Sequence, residues 1–366
     1  MIKEGKIGVF EATCIVVIAI SNRVFFTAPT IVAQVVGTAG WYMSLISALT
    51  TIVAFTFICL LLKRFPGKNI FEIFDITFGR IIGFILSFTY AGAFLFAVGI
   101  LMREFLDMLK IFIFTNTPLS FMILAVLIIV VTAAVLGFET IARTCSLFAF
   151  TSLLGYILLL VLASKNYTLT NLFPILGYGL GNTIITGISR SSAYSEVIIL
   201  GVFAGSLQGV EHIRKAGYTA LIVSGLVISS GLLCMTLAFP YTTFQELTAP
   251  LYILVRFVKY GAFFQRLDPL FLVLWIVITV MANSVVFYAA VSSYCKTFRL
   301  SDTRPVILPM AVLLFVIAML PRDFPSVMDK YIETLRIYPV ILFYLVPITA
   351  LIVAIVRKKN GEKVHA

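Results

Sequence analysis

Charge is what this chain has least of. Only 12% of its 366 residues are Asp, Glu, Lys or Arg, and just two are histidine, His212 and His365. No nucleophile–base pair can be assembled from that inventory, so an enzyme is not expected. The five cysteines (Cys14, Cys59, Cys145, Cys234, Cys295) stand singly in apolar segments, with no CxxC or ligand spacing. They read as small hydrophobes, and neither a metal nor a cofactor is expected. The net charge of +11 is spread over the ends of apolar runs and forms no basic face with interleaved aromatics. Nucleic acid is therefore excluded as a partner, and the basic residues read as topology signals facing the lipid bilayer.

What the chain does have is apolar surface: 61% of it is hydrophobic. A soluble domain of this length could not hide that much, whereas an integral membrane protein exposes it to lipid. A bilayer core takes about 20 apolar residues per helix. Ten such runs occur, near 9–36, 41–62, 81–113, 119–137, 142–163, 183–209, 217–240, 269–295, 305–320 and 336–356. The expected fold is all-α and integral to the membrane, one domain over residues 1–366 with ten transmembrane helices. No small-residue cleavage site follows the charged N-terminus, so the first helix is expected to be retained. With the N-terminus inside, sixteen lysines and arginines fall on the inner side and eight on the outer, which predicts cytoplasmic N- and C-termini.

The two halves rhyme. KRFPGKNIFEIFDITFGR follows the second run, with an amphipathic FEIFDITF core, and TTFQELTAPLYILVRFVKYGAFFQRLD follows the seventh, with a helical stretch near 248–263. Five helices per half makes the second half inverted relative to the first, in repeats near 9–163 and 183–356. Sites in such 5+5 inverted repeats form where helices are broken near the midplane.

The first helix of each half is the one expected to break. Helix 1 carries Ser21-Asn22-Arg23 in mid-span and Pro29 six residues on; helix 6 carries Gly187, then Ser189-Arg190-Ser191-Ser192, then Glu196. Freed amides at a half-helix start favour a carboxylate, and freed carbonyls favour an ammonium group or a cation. An arginine at bilayer depth costs about 2.5–3.5 kcal/mol even on lenient scales, so Arg23 and Arg190 should face the interior or a water-filled cavity. Three settings stay open: one of them pairs with Glu196 as a structural bridge, they serve ligand or gating chemistry, or Arg190 snorkels to an interface. Asn283 and Ser284 interrupt helix 8, where they line a site or hydrogen-bond across helices. Gly201, Gly205 and Gly209 predict close backbone packing in the second half of helix 6. Arg103 and Asp107, beside Glu104, read as a water-exposed i,i+4 pair at a protruding helix end. Gly177, Gly179 and Gly181 follow no strand and make no dinucleotide fingerprint.

Residues 101–143, LMREFLDMLKIFIFTNTPLSFMILAVLIIVVTAAVLGFETIAR, resemble the B-subunit family of spore germination receptors. The likeness rests on an Arg-x-Phe stretch (Arg103, Phe105), Thr117-Pro118, and G-x-E-x-x-A-R (Gly137, Glu139, Ala142, Arg143), with Glu196 matching a glutamate of helix 6. The resemblance implies an amino acid–polyamine–organocation, LeuT-like fold in the spore inner membrane, with A and C receptor subunits as partners. It implies a small nutrient ligand, an amino acid, between helices 1, 3, 6 and 8, lined by Asn22, Arg23, Val98, Ser189, Ser192, Tyr194 and Asn283. Arg23, Arg190 and Glu196 are the candidate gating charges. The expected function is germinant sensing. A proton-coupled amino-acid permease is the alternative, and an ion channel lacks a charged ring or filter-like loop.

Overall fold

The computed structural model describes residues 5–258 and 267–360, and those residues form helices and loops without a strand. Among the described residues seven helical runs are long and apolar enough to cross a bilayer: Ala28–Arg64, Arg80–Phe112, Leu119–Leu136, Phe138–Asn166, Val210–Ala238, Asp268–Thr297 and Phe324–Val356. The chain is an integral membrane protein. Of the ten runs read from hydropathy, the ninth is a shorter apolar helix, Arg304–Met319, and the first and sixth are in pieces.

The first run is α1 (Val9–Ser21), a 3-10 turn (Asn22–Phe25) and α2 (Ala28–Val36). Then come α3 (Gly40–Arg64), α4 (Ile70–Phe78), α5 (Arg80–Phe112), α6 (Leu119–Leu136) and α7 (Phe138–Leu162). The sixth run is α8 (Leu180–Ser189), a 3-10 stretch (Arg190–Ile198) and the single turn α9 (Ile199–Val202). After it follow α10 (Val210–Ala238), α11 (Tyr241–Phe244), α12 (Pro250–Phe257), α13 (Asp268–Thr297), α14 (Arg304–Met319) and α15 (Phe324–Val356).

The interior is built by α13 along α5 and α10 along α3, with α1 held between α10, α7 and α13. On α6 and α7 the large side chains Phe121, Ile128, Leu147 and Phe150 stay exposed, as lipid-facing surface should. The FEIFDITF connector is helical, as its pattern predicts. Asn69 accepts from the amides of Phe71 and Glu72, each at 3.0 Å, and the Glu72 carboxylate accepts from the Asn69 amide at 3.0 Å. This capping box starts α4, whose Phe71 and Phe74 then pack edge-on against Tyr90 of α5. In the other connector α12 covers part of the expected stretch, and 259–263 lies outside the described residues, as do Lys3, Lys363 and His365.

The glycine stripe of helix 6 does not form. α9 stops at Val202, a Cβ on Gly205 would meet nothing within 4 Å, and Gly209 has φ +92°. Four-residue spacing makes a packing face only on a continuous helix. Close approach occurs elsewhere: a Cβ on Gly187 would stand 2.8 Å from Ile46, and one on Gly217 would overlap the fully buried ring of Phe55. Gly217→Val should therefore cost about 1–3 kcal/mol by overpacking, read as a lower melting temperature in detergent. Gly205→Ala should leave that temperature unchanged.

Candidate functional site

Both expected breaks exist, and each has its freed backbone groups met by named side chains. In the first, the helix ends at Ser21, Phe26 is extended (φ −100°, ψ −156°), and Pro29 opens α2 where its missing N–H costs nothing. Asn22 accepts from the Thr279 hydroxyl of α13 at 3.0 Å. The backbone amide and hydroxyl of Thr27 both donate to Glu104 of α5, at 3.2 and 2.5 Å. The start of α2 thus already has a carboxylate.

In the second break the carbonyls are freed, and α3 supplies the donors. Ser47 donates to the Gly187 carbonyl at 2.7 Å, and Thr51 to that of Ser191 at 3.2 Å. Tyr344 of α15 also donates to Ser191, at 3.0 Å, and Tyr194 reaches back to the Ser44 carbonyl at 3.2 Å. Hydroxyls from two neighbouring helices do for this backbone what water cannot do in a bilayer.

The breaks meet in an ion pair. Nη2 of Arg23, in the first, bonds Oε1 of Glu196, in the second. Sequence reasoning held open which arginine would pair with Glu196; the structure selects Arg23. Arg190 instead lies 4.0 Å from Glu333 of α15, which also accepts from Arg336 at 3.1 Å. The Arg23–Glu196 pair is incompletely bonded: Nε of Arg23 and Oε2 of Glu196 are buried with no hydrogen-bond partner.

Two cavities flank the pair. The first, about 70 Å3, is lined by Arg23, Ser192, Tyr194, Arg190 and Arg336, with Ser44, Ser47 and apolar groups of α2, α3 and α10. The second, about 120 Å3, is lined by Glu196, Phe94, Val286 and Phe343 among others. Arg23 is the side chain common to both.

The expected lining residues divide. Arg23, Ser192 and Tyr194 come together at the first cavity. Asn22, Val98 and Asn283 are buried but line neither, although Nδ2 of Asn283 has no partner; Ser189 is exposed and bonds only the Thr186 carbonyl, at 3.1 Å. Arg103 and Asp107 are not in water. They form a buried pair at 2.8 Å, and Arg103 also donates to the Ala318 carbonyl of α14 at 3.0 Å. α14 covers that end of α5 and buries the pair. Sequence reasoning missed Glu104, Glu333 and Arg336. An acid more than two turns inside an apolar run could have marked Glu104; Arg336 is the first residue of the tenth run, where its charge reads as a topology signal.

A family model described as "Spore germination protein" matches residues 6–327. Spore germination protein A2 of Bacillus subtilis (strain 168) is 25% identical over 364 residues, covering 96% of this chain and 97% of that protein. Spore germination protein KB of the same organism is 24% identical over 310 residues, 82% of each. Among solved structures, Mhp1, a nucleobase-cation-symport-1 family transporter in a closed conformation with bromovinylhydantoin bound, superposes with a TM-score of 0.63. It is 18% identical, and the match covers 91% of this chain and 75% of that one. The fold is that of this transporter class, with the breaks at residues 22–27 and 190–198.

Removing one member of a buried pair strands the other. Arg23→Gln should destabilise the purified protein by about 3–5 kcal/mol, and adding Glu196→Gln should recover most of that. Thermal unfolding in detergent of both single variants and the double one measures it. A double variant no more stable than either single one would show that the two charges do not act as a unit.

Proposed function

This chain belongs to the spore germination protein family, and on that premise we propose that it is the nutrient-sensing membrane subunit of a germinant receptor. The observation that carries the reading is the placement of a cavity where two helix breaks meet, in a chain whose relatives are germination proteins. A ligand in that cavity touches backbone and side chains of both breaks, so its binding biases the angle between their half-helices. Movement of those half-helices is what partner subunits would read. The partners are the receptor's A and C subunits, and the setting is the inner membrane of the spore.

Within this reading the domain is a pair of inverted repeats, near 9–163 and 183–356, with both termini cytoplasmic. The ligand is an amino acid or a nutrient of similar size. Arg23, Ser192 and Tyr194 are its contacts, and Arg23, Arg190 and Glu196 the gating charges. Asn22 acts from behind, held by the bond it accepts from Thr279 of α13.

A proton-coupled amino-acid permease would have the same fold, since fold alone does not separate sensing from transport. Proteoliposomes with a panel of labelled amino acids, with and without a proton gradient, separate them. Saturable binding without uptake is expected. Concentrative, gradient-dependent uptake would make the chain a permease and overturn the sensing role.

A further inference from the structure

The first cavity has an unusual balance of charge. Three guanidinium groups line it (Arg23, Arg190 and Arg336), and no carboxylate does. The acids that answer them stand behind the wall: Glu196 on Arg23, and Glu333 shared between Arg336 at 3.1 Å and Arg190 at 4.0 Å. At 4.0 Å Arg190 is beyond hydrogen-bond reach of its acid, and Nε of Arg23 is buried without a partner. Planar guanidinium donors that are mostly buried and short of acceptors are matched by an oxyanion that takes two parallel N–H bonds. The start of α2, the other place an anion would favour, already holds Glu104.

We propose that this cavity recognises its ligand by a carboxylate, through Arg190, Arg336 and Arg23, and that the ligand competes with Glu196 for Arg23. The inference rests on the nutrient-sensing reading and names the chemical class of the nutrient. About 70 Å3 leaves room for a few heavy atoms, on a scale where roughly 10–15 Å3 holds one water. The ligand is a small carboxylic acid or the carboxyl end of an amino acid, and an ammonium group finds no acidic partner on this wall.

The competition follows from geometry. Arg23 reaches both cavities, while Glu196 lines only the second. A ligand carboxylate taking the Arg23 fork from the first cavity loosens Glu196 on the other side. Ligand binding is thereby converted into a change of charge pairing between the two breaks. Glu196 is the ligand's internal rival, so removing its charge should tighten binding. A pair that only held the helices together would respond in the opposite way.

The test uses the full chain in nanodiscs and matched probes: propionate against propionamide, and L-alanine against L-alaninamide, by isothermal titration calorimetry. The acids should bind at least about tenfold more tightly than their amides, the scale of losing a charged hydrogen-bonded pair. Arg190→Gln and Arg336→Gln, which leave the Arg23–Glu196 pair intact, should each weaken the acids about tenfold and leave the amides unchanged. Glu196→Gln should strengthen acid binding. Amides binding as well as acids would overturn the proposal while leaving the sensing role standing. No binding by any probe, with the melting temperature of the protein intact, would count against both. Discs with and without phosphatidylglycerol separate a free acid from a lipid headgroup. Acid binding abolished by the anionic lipid would assign the arginines to the membrane and overturn the nutrient assignment.

Discussion

Everything central in this molecule depends on a constraint the bilayer imposes: a charge or backbone group inside it must find its partner within the protein. Arg23 and Glu196 answer that constraint across the two places where the helices give up their own hydrogen bonds. Neither residue could sit there alone. An unpaired arginine or glutamate at that depth would neutralise, snorkel or pull water in. Because the partners belong to different breaks, pairing them also fixes where the breaks stand relative to each other. The attraction that solvates the charges is the one that positions the half-helices.

The backbone obeys the same rule with smaller groups. Ser47, Thr51 and Tyr344 donate to carbonyls of the second break, and Glu104 accepts from Thr27 at the first. The donors come from α3 and α15, and the acceptor from α5. Each break is therefore held by helices that flank it. This is why α3, an apolar helix by composition, carries buried hydroxyls on its inner face at Ser47 and Thr51. A hydroxyl is small enough for close packing, and the single proton of Thr51 lies between two acceptors, the Ser191 carbonyl at 3.2 Å and its own i−4 carbonyl on Ser47 at 3.0 Å.

Much of the fold was legible in the chain because bilayers make hydropathy informative. Apolar runs located the long helices, proline and polar interruptions located the breaks, and the amphipathic FEIFDITF pattern located α4. The misses share one physical cause. Hydropathy and spacing say how deep a residue lies, but not which way its helix is rotated or what covers it. Arg103 and Asp107 looked solvent-exposed from their place at a helix end, and α14 buries them. Arg190 and Arg23 were equal candidates for Glu196, since a helix that changes to 3-10 winding shifts the bearing of every later side chain. The glycine stripe failed for the same reason, its period assuming a helix that ends at Val202. Ser189 and Val98 were expected at a ligand site through family likeness, which transfers position along a helix more faithfully than direction around it.

The same physics bears on why a sensor and a transporter can share this architecture. In both, a ligand must change the relative stability of two arrangements of the broken helices, and it can do so only through contacts that differ between them. A buried ion pair bridging the breaks makes the present arrangement favourable as long as both members are satisfied by each other. Arg23 and Glu196 satisfy each other only in part, each keeping one buried polar atom without a partner. An incompletely bonded pair is easier to exchange than a complete one, because the group that replaces a partner also supplies the missing bond. Full satisfaction would lock the two breaks together and leave a small ligand nothing to offer. On the proposed reading, the residual polarity at this pair would leave the junction of the two helices responsive to the contents of the cavity beside it.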